Sequence, residues 1–299
     1  MFCQLFLFNV LHTKFKKMKF QLKNIVAVLF MALALISCSD NDDSATVNEL
    51  DGLTKFQEMT NTTHTIELYS HAGSLVQGYN EVKLRIKDNT TNQYIKNATV
   101  SWMPVMHMAM MNHSCPNSEV EKITTEGTLY EGYIMFQMAQ NDTEYWDLKI
   151  DYSIDGVDYT TTSVIDVPAS AKRTVNTFMG TDGVKYLVAY AEPHHPSVAL
   201  NDMVVGVWKM QDMMTFPVVD GYTLKIDPRM PSMGNHSSPN NVHATQTTAG
   251  ELYNGKLSLT MTGYWKINLQ LAKPDGTIVK GEEITDTVTA SSIFFEIEF

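Results

Sequence analysis

Thirteen residues of the 299-residue sequence hold a dense set of sulfur and imidazole side chains. The segment 103–115 contains five methionines, two histidines and one cysteine. Thioether sulfur is a soft, uncharged ligand and imidazole is borderline, so together they suit copper, above all Cu(I), far better than Mg²⁺, Ca²⁺ or Mn²⁺. The alternative role for such methionines is core packing or an adaptable contact surface. The predicted ligands are Met103, Met106, His107, Met108, Met110, Met111 and His113, with Cys115 as an accessory ligand or a bystander.

A second segment, later in the chain, has fewer side chains of the same types. The candidate ligands of this second segment are Met230, Met233, His236 and His243. Ser238 stands where the first segment has Cys115, so a thiolate is not required by both sites. Met138 and Met261 each precede a Tyr-Trp pair, and their pattern favours core packing, although either would also serve as a distant ligand that closes a loop site.

The two segments belong to an internal repeat, which is a sign of tandem structural units. His113-Ser-Cys-Pro-Asn117 recurs as His236-Ser-Ser-Pro-Asn240, at an offset of 123 residues. Leu129-Tyr-Glu-Gly132 recurs at the same offset. The pattern also pairs Met103-Pro-Val-Met106 with Met230-Pro-Ser-Met233, and Tyr145-Trp146 with Tyr264-Trp265.

Strand signals dominate the chain that must position these ligands. Short runs of alternating apolar residues are separated by Gly, Asn, Asp and Thr, and no window outside the N-terminus has a helical apolar period. Each repeat has about 100 residues and about seven predicted strands, the size of an immunoglobulin-like sandwich. The sequence therefore predicts an all-β protein with two tandem sandwich domains, at 63–168 and 183–299.

The N-terminus has the pattern of a secretory signal. Residues 1–37 contain five lysines and no acidic residue, and they lead into an apolar run at 25–36 that is too short to remain as a membrane span. Leu35-Ile36-Ser37-Cys38 resembles the lipobox of bacterial lipoproteins; the alternative is a plain signal peptide with an incidental cysteine. We expect a signal peptide at 1–37, counted from Met1 or from Met18, lipidation of Cys38, and a polar, flexible tether over 38–62.

Composition and motifs exclude two broad classes of function. The chain has 22 basic and 33 acidic residues, for a net charge of −11, which disfavours nucleic acid as a partner. It contains no Gly-x-Ser-x-Gly elbow, His-Glu-x-x-His motif or phosphate-binding loop. A hydrolytic zinc site needs three protein ligands and an open position, and the loop histidines fall in different repeats. We therefore expect a protein that is not an enzyme.

The order of these motifs resembles the YtkA-like domain family, which is related to FixH. The first repeat matches through Gly78-Tyr-Asn80, Met103-Pro-Val-Met106, the His113-Ser-Cys-Pro segment, Tyr130-Glu-Gly132, Met138 and Trp146. The second matches through Met230-Pro-Ser-Met-Gly-Asn-His236, Tyr253-Asn-Gly255 and Met261-Thr-Gly-Tyr-Trp265. The resemblance implies an extracytoplasmic immunoglobulin-like sandwich in a family associated with copper handling, with metal-efflux or oxidase-assembly proteins as partners.

Two functions are compatible with these patterns. The favoured one is a copper-binding or copper-delivering lipoprotein of the cell envelope, with one loop site in each domain. It would be attached through its lipid in the outer membrane, on the periplasmic side or at the cell surface. The rival is a structural or adhesive surface lipoprotein that binds a protein or a glycan, with the methionine loop as an apolar contact.

Overall fold

The computed structural model describes residues 48–299. The predicted signal peptide, Cys38 and the tether as far as residue 47 lie outside these residues. Regular structure in the described part consists of β-strands and a single 3-10 turn at Pro231–Met233, which confirms the all-β prediction. Over the same residues, no helix has the length and apolar character needed to cross a membrane.

Strands of the first repeat form two antiparallel sheets that enclose a common core. The sheet orders are β1-β2-β3-β7-β6 and β5-β4-β8-β9. The strands are β1 (Thr54–Thr60), β2 (His64–Ser70), β3 (Gly78–Asp88), β4 (Thr99–His107), β5 (Asn112–His113), β6 (Glu121–Lys122), β7 (Tyr130–Phe136), β8 (Tyr145–Ile154) and β9 (Val157–Ile165). Ile66 and Leu84 from one sheet and Trp146 from the other are fully buried in one cluster, so this repeat is a β-sandwich.

Strands of the second repeat follow the same succession but form one continuous sheet. The strands are β10 (Val175–Met179), β11 (Lys185–Glu192), β12 (Leu200–Lys209), β13 (Thr223–Met230), β14 (His236–Ser237), β15 (Val242–Thr245), β16 (Tyr253–Ser258), β17 (Tyr264–Ala272), β18 (Ile278–Lys280) and β19 (Phe294–Glu298). The order is β10-β11-β12-β16-β15-β13-β17-β18, with β14 beside β13 and β19 beside β17. The sheet is continuous because β15 pairs with both β13 and β16.

Strand pairing corrects the alignment of the two methionine segments. Met106 lies opposite His113, and Met230 lies opposite His236, in equivalent antiparallel pairs. Met106 and Met230 are therefore the equivalent methionines. The predicted pairing of Met103 with Met230 is wrong, because it matched the spacing of two methionines rather than the position of each in its strand.

The structure also corrects two predicted boundaries, the end of the tether and the start of the second repeat. β1 lies within the predicted tether, where it pairs with β2 and buries Met59. The carboxylate of Glu49 accepts a hydrogen bond of 2.9 Å from the Thr128 backbone nitrogen, so the ordered structure includes the second half of the predicted tether. β10 pairs with β11, so the second repeat begins before residue 183.

A small third core joins the two repeats. Met135 of β7 is buried with Leu187, Ala189 and Trp208 of the second repeat. Gly206 is required for this packing, since a Cβ atom there would lie 1.7 Å from the Trp208 ring. The two repeats thus share buried apolar surface, and the ends of β4, β5 and β7 in the first repeat lie beside the start of β11 and the end of β12 in the second.

Candidate metal centre

β4 separates the predicted ligands of the first repeat onto two faces, because successive side chains of a strand point in opposite directions. Met106 is fully buried in the sandwich core. Met103 lies on the opposite face with 46% of its surface exposed. His107 shares that face, where its Nε2 atom lies 2.7 Å from Asp147 Oδ2 and its ring stacks on Tyr145. The prediction that these three side chains belong to one loop site is wrong.

The chain reverses direction immediately after β4. The backbone nitrogen of Met108 donates a hydrogen bond of 3.1 Å to the carbonyl oxygen of Met111, and the chain returns as β5. Met110 lies at the tip of this turn and is 91% exposed, so it does not take part in an enclosed site. Met108 and Met111 instead face the same cavity as His113.

His113 is buried and three groups contact its ring. Its Nδ1 atom lies 2.8 Å from the backbone oxygen of Ser114 and 3.0 Å from the side-chain nitrogen of Gln137, and the Gln137 amide also donates to the Ser114 oxygen at 3.0 Å. The ring meets Trp146 edge to face, with 5.5 Å between centroids. The Ser114 oxygen can only accept and the Gln137 nitrogen can only donate, so these contacts fix the position of the ring but not which nitrogen carries the proton. With Nδ1 engaged by these two groups, Nε2 is the nitrogen that faces Met138.

Met138 presents its sulfur atom to that nitrogen. The Nε2 atom of His113 and the Sδ atom of Met138 are 3.3 Å apart. Metal bonds of about 2.0 Å to nitrogen and about 2.3 Å to sulfur place two tetrahedral ligand atoms about 3.5 Å apart. The pair is thus close to the separation that two ligands of one ion adopt, which is the alternative to core packing that the sequence leaves open for Met138.

A cavity of about 290 Å³ opens beside this pair. Its wall includes five methionines, of which Met210 and Met213 come from the second repeat. The residues that line the cavity are Met108, Met111, His113, Gln137, Met138, Thr177, Lys185, Leu187, Met210, Met213 and Phe216. Sequence reasoning missed Met210 and Met213, although three methionines in the five residues 210–214 carried the same compositional signal as the first loop.

Among the residues of 48–299 that line this cavity, none carries a carboxylate, and Lys185 is the only one of a permanently charged type. Oxygen ligands are what Mg²⁺, Ca²⁺ and Mn²⁺ require, whereas thioether and imidazole suit Cu(I). Among residues 48–299, no group of three or more His, Cys, Asp or Glu side chains is arranged to hold a metal ion. The donor set is therefore soft and neutral, and its sulfur comes from methionine.

Cys115 does not belong to this donor set. Its side chain is 1% exposed and lies in the core of the first repeat. Burial raises the pKa of the Cys115 thiol, and a metal ligand must be the thiolate. Cys115 is thus a small apolar core residue, which also agrees with its replacement by Ser238 in the second repeat.

The second predicted ligand set is divided by the fold. Met230 is a core residue, whereas Met233 is 57% exposed on the 3-10 turn. His243 accepts a hydrogen bond of 3.2 Å from the Ile226 backbone nitrogen, and His236 pairs with Met230. Met230 is four positions beyond Ile226 in the same strand, which corresponds to about 13 Å. His236 and His243 therefore do not bind one ion.

Met261 shares most of its setting with its counterpart Met138. Each is half-buried against the core of its repeat, and the carbonyl oxygen of each accepts a hydrogen bond of 3.0 Å from a tryptophan indole. The difference is a histidine: within residues 48–299, the Met138 sulfur contacts His113 and the Met261 sulfur has no such hydrogen bond. The structure thus supports core packing for Met261, the role that the sequence favours.

Comparison with known proteins adds no family assignment. No family model matches the chain, and no curated protein shows significant similarity to it. The resemblance to YtkA-like domains stays a prediction from short motifs.

Proposed function

We propose that the protein is an extracytoplasmic lipoprotein that binds Cu(I) and carries it within the cell envelope, as a chaperone or as an accessory of copper resistance and efflux. The observation that supports this is the His113–Met138 pair, with 3.3 Å between Nε2 and Sδ, in a cavity whose wall carries five methionines and no carboxylate. The proposed role is transport of a metal ion rather than catalysis.

The charge of the cavity favours a monovalent ion. Neutral thioether and imidazole ligands do not compensate a second positive charge. Cu(I) should bind in preference to Zn²⁺ and Cu²⁺, because both of these favour nitrogen, oxygen or thiolate ligands.

Competition against a Cu(I) chelator under anaerobic conditions tests the proposal. The wild-type protein should hold Cu(I), and the double variant His113→Ala, Met138→Leu should lose at least about 100-fold in affinity, because two of its ligands are removed. Met103→Leu is the matched control, since Met103 lies on the outer face of β4. Absence of Cu(I) binding, equal affinity of the double variant, or tighter binding of Zn²⁺ would each contradict the proposal.

Attachment to the membrane is proposed from the sequence around Cys38. The lipobox pattern, after an apolar run too short to stay as a span, supports lipidation of Cys38 and a place in the envelope facing metal-efflux or oxidase-assembly proteins. Cys38→Ala should release the protein from the membrane fraction. Retention of the variant in the membrane at its full-length mass would contradict the lipid anchor.

A second candidate function has one observation in its favour. A cavity of about 610 Å³ is lined by four glutamates beside Tyr79 and Tyr133, whose ring centroids are 5.1 Å apart. Carboxylates next to aromatic rings suit a glycan or a basic protein segment. Trp208 also lines this cavity but is 1% exposed, so the rings that the cavity offers are those of the two tyrosines and the half-buried Phe216. Binding of glycans or proteins that is lost in Tyr79→Ala and unaffected by copper would favour this function.

A further inference from the structure

Residues 210–217 form an ordered loop that follows β12 in the second repeat. The backbone nitrogen of Met210 donates to the Lys185 carbonyl oxygen at 2.9 Å, and that of Gln211 donates to Thr215 at 3.0 Å. The Asp212 carboxylate accepts a hydrogen bond of 2.8 Å from the Met214 nitrogen. These contacts hold the backbone of the loop in one conformation.

The loop is attached to the first repeat at the residue that follows His113. The backbone nitrogen of Ser114 donates a hydrogen bond of 2.8 Å to the carbonyl oxygen of Met213. Met210 and Met213 then line the cavity that His113 also lines, whereas Met214 does not. The loop therefore covers one side of the candidate metal centre.

The ligands of the first repeat alone leave this side of the site without donors. His113 and Met138 provide two donor atoms from the buried wall, and Met108 and Met111 approach from the β4–β5 turn. The described residues that the second repeat adds to the lining include two with a soft donor, Met210 and Met213. A soft ion beside His113 can therefore draw thioether ligands from both repeats.

We infer that Met210 and Met213 are copper ligands, and that one Cu(I) ion is shared by both repeats instead of one ion being bound by each. This inference rests on the proposed copper function. An ion with ligands in both repeats stabilises their contact, because it binds more tightly when the repeats are docked.

Chelator competition on the full chain tests the ligand assignment. The double variant Met210→Leu, Met213→Leu should lose about tenfold or more in Cu(I) affinity, since leucine conserves volume but offers no sulfur. Met214→Leu is the matched control, because Met214 and Met213 are 42% and 41% exposed on the same loop. Wild-type affinity in the double variant would overturn the inference while leaving the His113–Met138 site intact. Absence of Cu(I) binding by the wild type would overturn the proposed function itself.

A measurement on the unaltered protein covers the case in which the double variant does not fold. The wild type is labelled with ¹³C at its methionine methyl groups and titrated with Ag(I), a diamagnetic substitute for Cu(I). In NMR spectra, the Met138, Met210 and Met213 signals should shift together and reach their end points at one equivalent of Ag(I). The Met214 and Met233 signals should stay in place. Shifts of Met138 without Met210 and Met213, or a second equivalent that shifts Met233, would show separate sites and overturn the shared ion.

Discussion

The indole nitrogen of Trp146 donates a hydrogen bond of 3.0 Å to the backbone carbonyl oxygen of Met138. This bond fixes the chain just after β7 at the position where the Met138 sulfur meets His113. The Trp146 ring also packs edge to face against the His113 ring. One buried tryptophan thus orients both members of the proposed ligand pair.

Trp146→Phe should therefore weaken Cu(I) binding although residue 146 is not a ligand. The variant keeps an aromatic ring but loses the indole donor, and we expect a loss of several-fold in affinity together with about 2 kcal/mol of stability. Chelator competition and denaturant unfolding measure the two effects.

Trp265→Phe provides the control, because the Trp265 indole makes an equivalent hydrogen bond of 3.0 Å to the Met261 carbonyl. It should cost similar stability and leave Cu(I) affinity unchanged. Equal losses of affinity in both variants would mean that general destabilisation, and not the orientation of Met138, explains the result.

Met106 and Met138 should respond differently to the same substitution. Met106→Leu replaces a fully buried core side chain with one of similar volume, so it should cost less than about 1.5 kcal/mol of stability and leave copper binding unchanged. Met138→Leu should reduce Cu(I) affinity about tenfold, because it removes a sulfur ligand. Met110→Leu, at the exposed tip of the turn, should have no effect on either property. A larger loss of affinity in Met106→Leu than in Met138→Leu would contradict the assigned site.

The thiol of Cys115 should not react with alkylating reagents in the folded protein. Burial raises the pKa of its thiol, and only the thiolate reacts rapidly with alkylating reagents. Iodoacetamide should modify Cys115 after unfolding in denaturant and not before, and Cys115→Ala should retain Cu(I) affinity. Rapid alkylation of the native protein that copper prevents would instead identify Cys115 as a ligand.

Local patterns in the sequence predicted the strands well, because alternating apolar residues report directly which side of a strand is buried. The same alternation explains the errors in the first loop. Met103 and His107 share one face of β4, while Met106 lies on the other. Residues that are close together in sequence therefore have different surroundings in the fold. The two-residue alternation of a strand, applied to the predicted ligands of β4, would have placed Met106 on a different face from Met103 and His107.

The grouping of these residues around His113 could not be predicted from local sequence. The sequence marks Met138 as an alternative distant ligand, and the methionines at 210–214 carry a compositional signal. Because Met138 follows β7 and Met210 and Met213 follow β12, their place beside His113 depends on how strands far apart in the chain pack. β1 was missed for a related reason. Its sequence is mainly polar, and only pairing with β2 and burial of Met59 stabilise it as a strand.

Glu67 is a buried carboxylate in the first repeat that should make stability depend on pH. Its side chain lies on β2, where it is 3% exposed. Oε2 accepts hydrogen bonds of 2.7 Å from Tyr69 and 2.7 Å from Arg85. Burial opposes ionisation, but these hydrogen bonds and the charge of Arg85 outweigh it and lower the pKa of Glu67 from 4.5 to about 2. The folded state therefore favours the ionised form.

Because the pKa is lower in the folded than in the unfolded state, Glu67 contributes its full stabilisation above pH 4.5 and loses it as the pH falls from 4.5 toward 2. The shift corresponds to about 3 kcal/mol. Glu67→Gln should lower the free energy of unfolding at pH 7 and flatten its decline across this acidic range, as measured by urea unfolding at a series of pH values. Glu126→Gln, which alters an exposed glutamate, should retain the wild-type profile. If Glu67→Gln retained the wild-type decline between pH 4.5 and 2, other carboxylates would control the acid sensitivity, and the Arg85–Glu67 pair would not be its source.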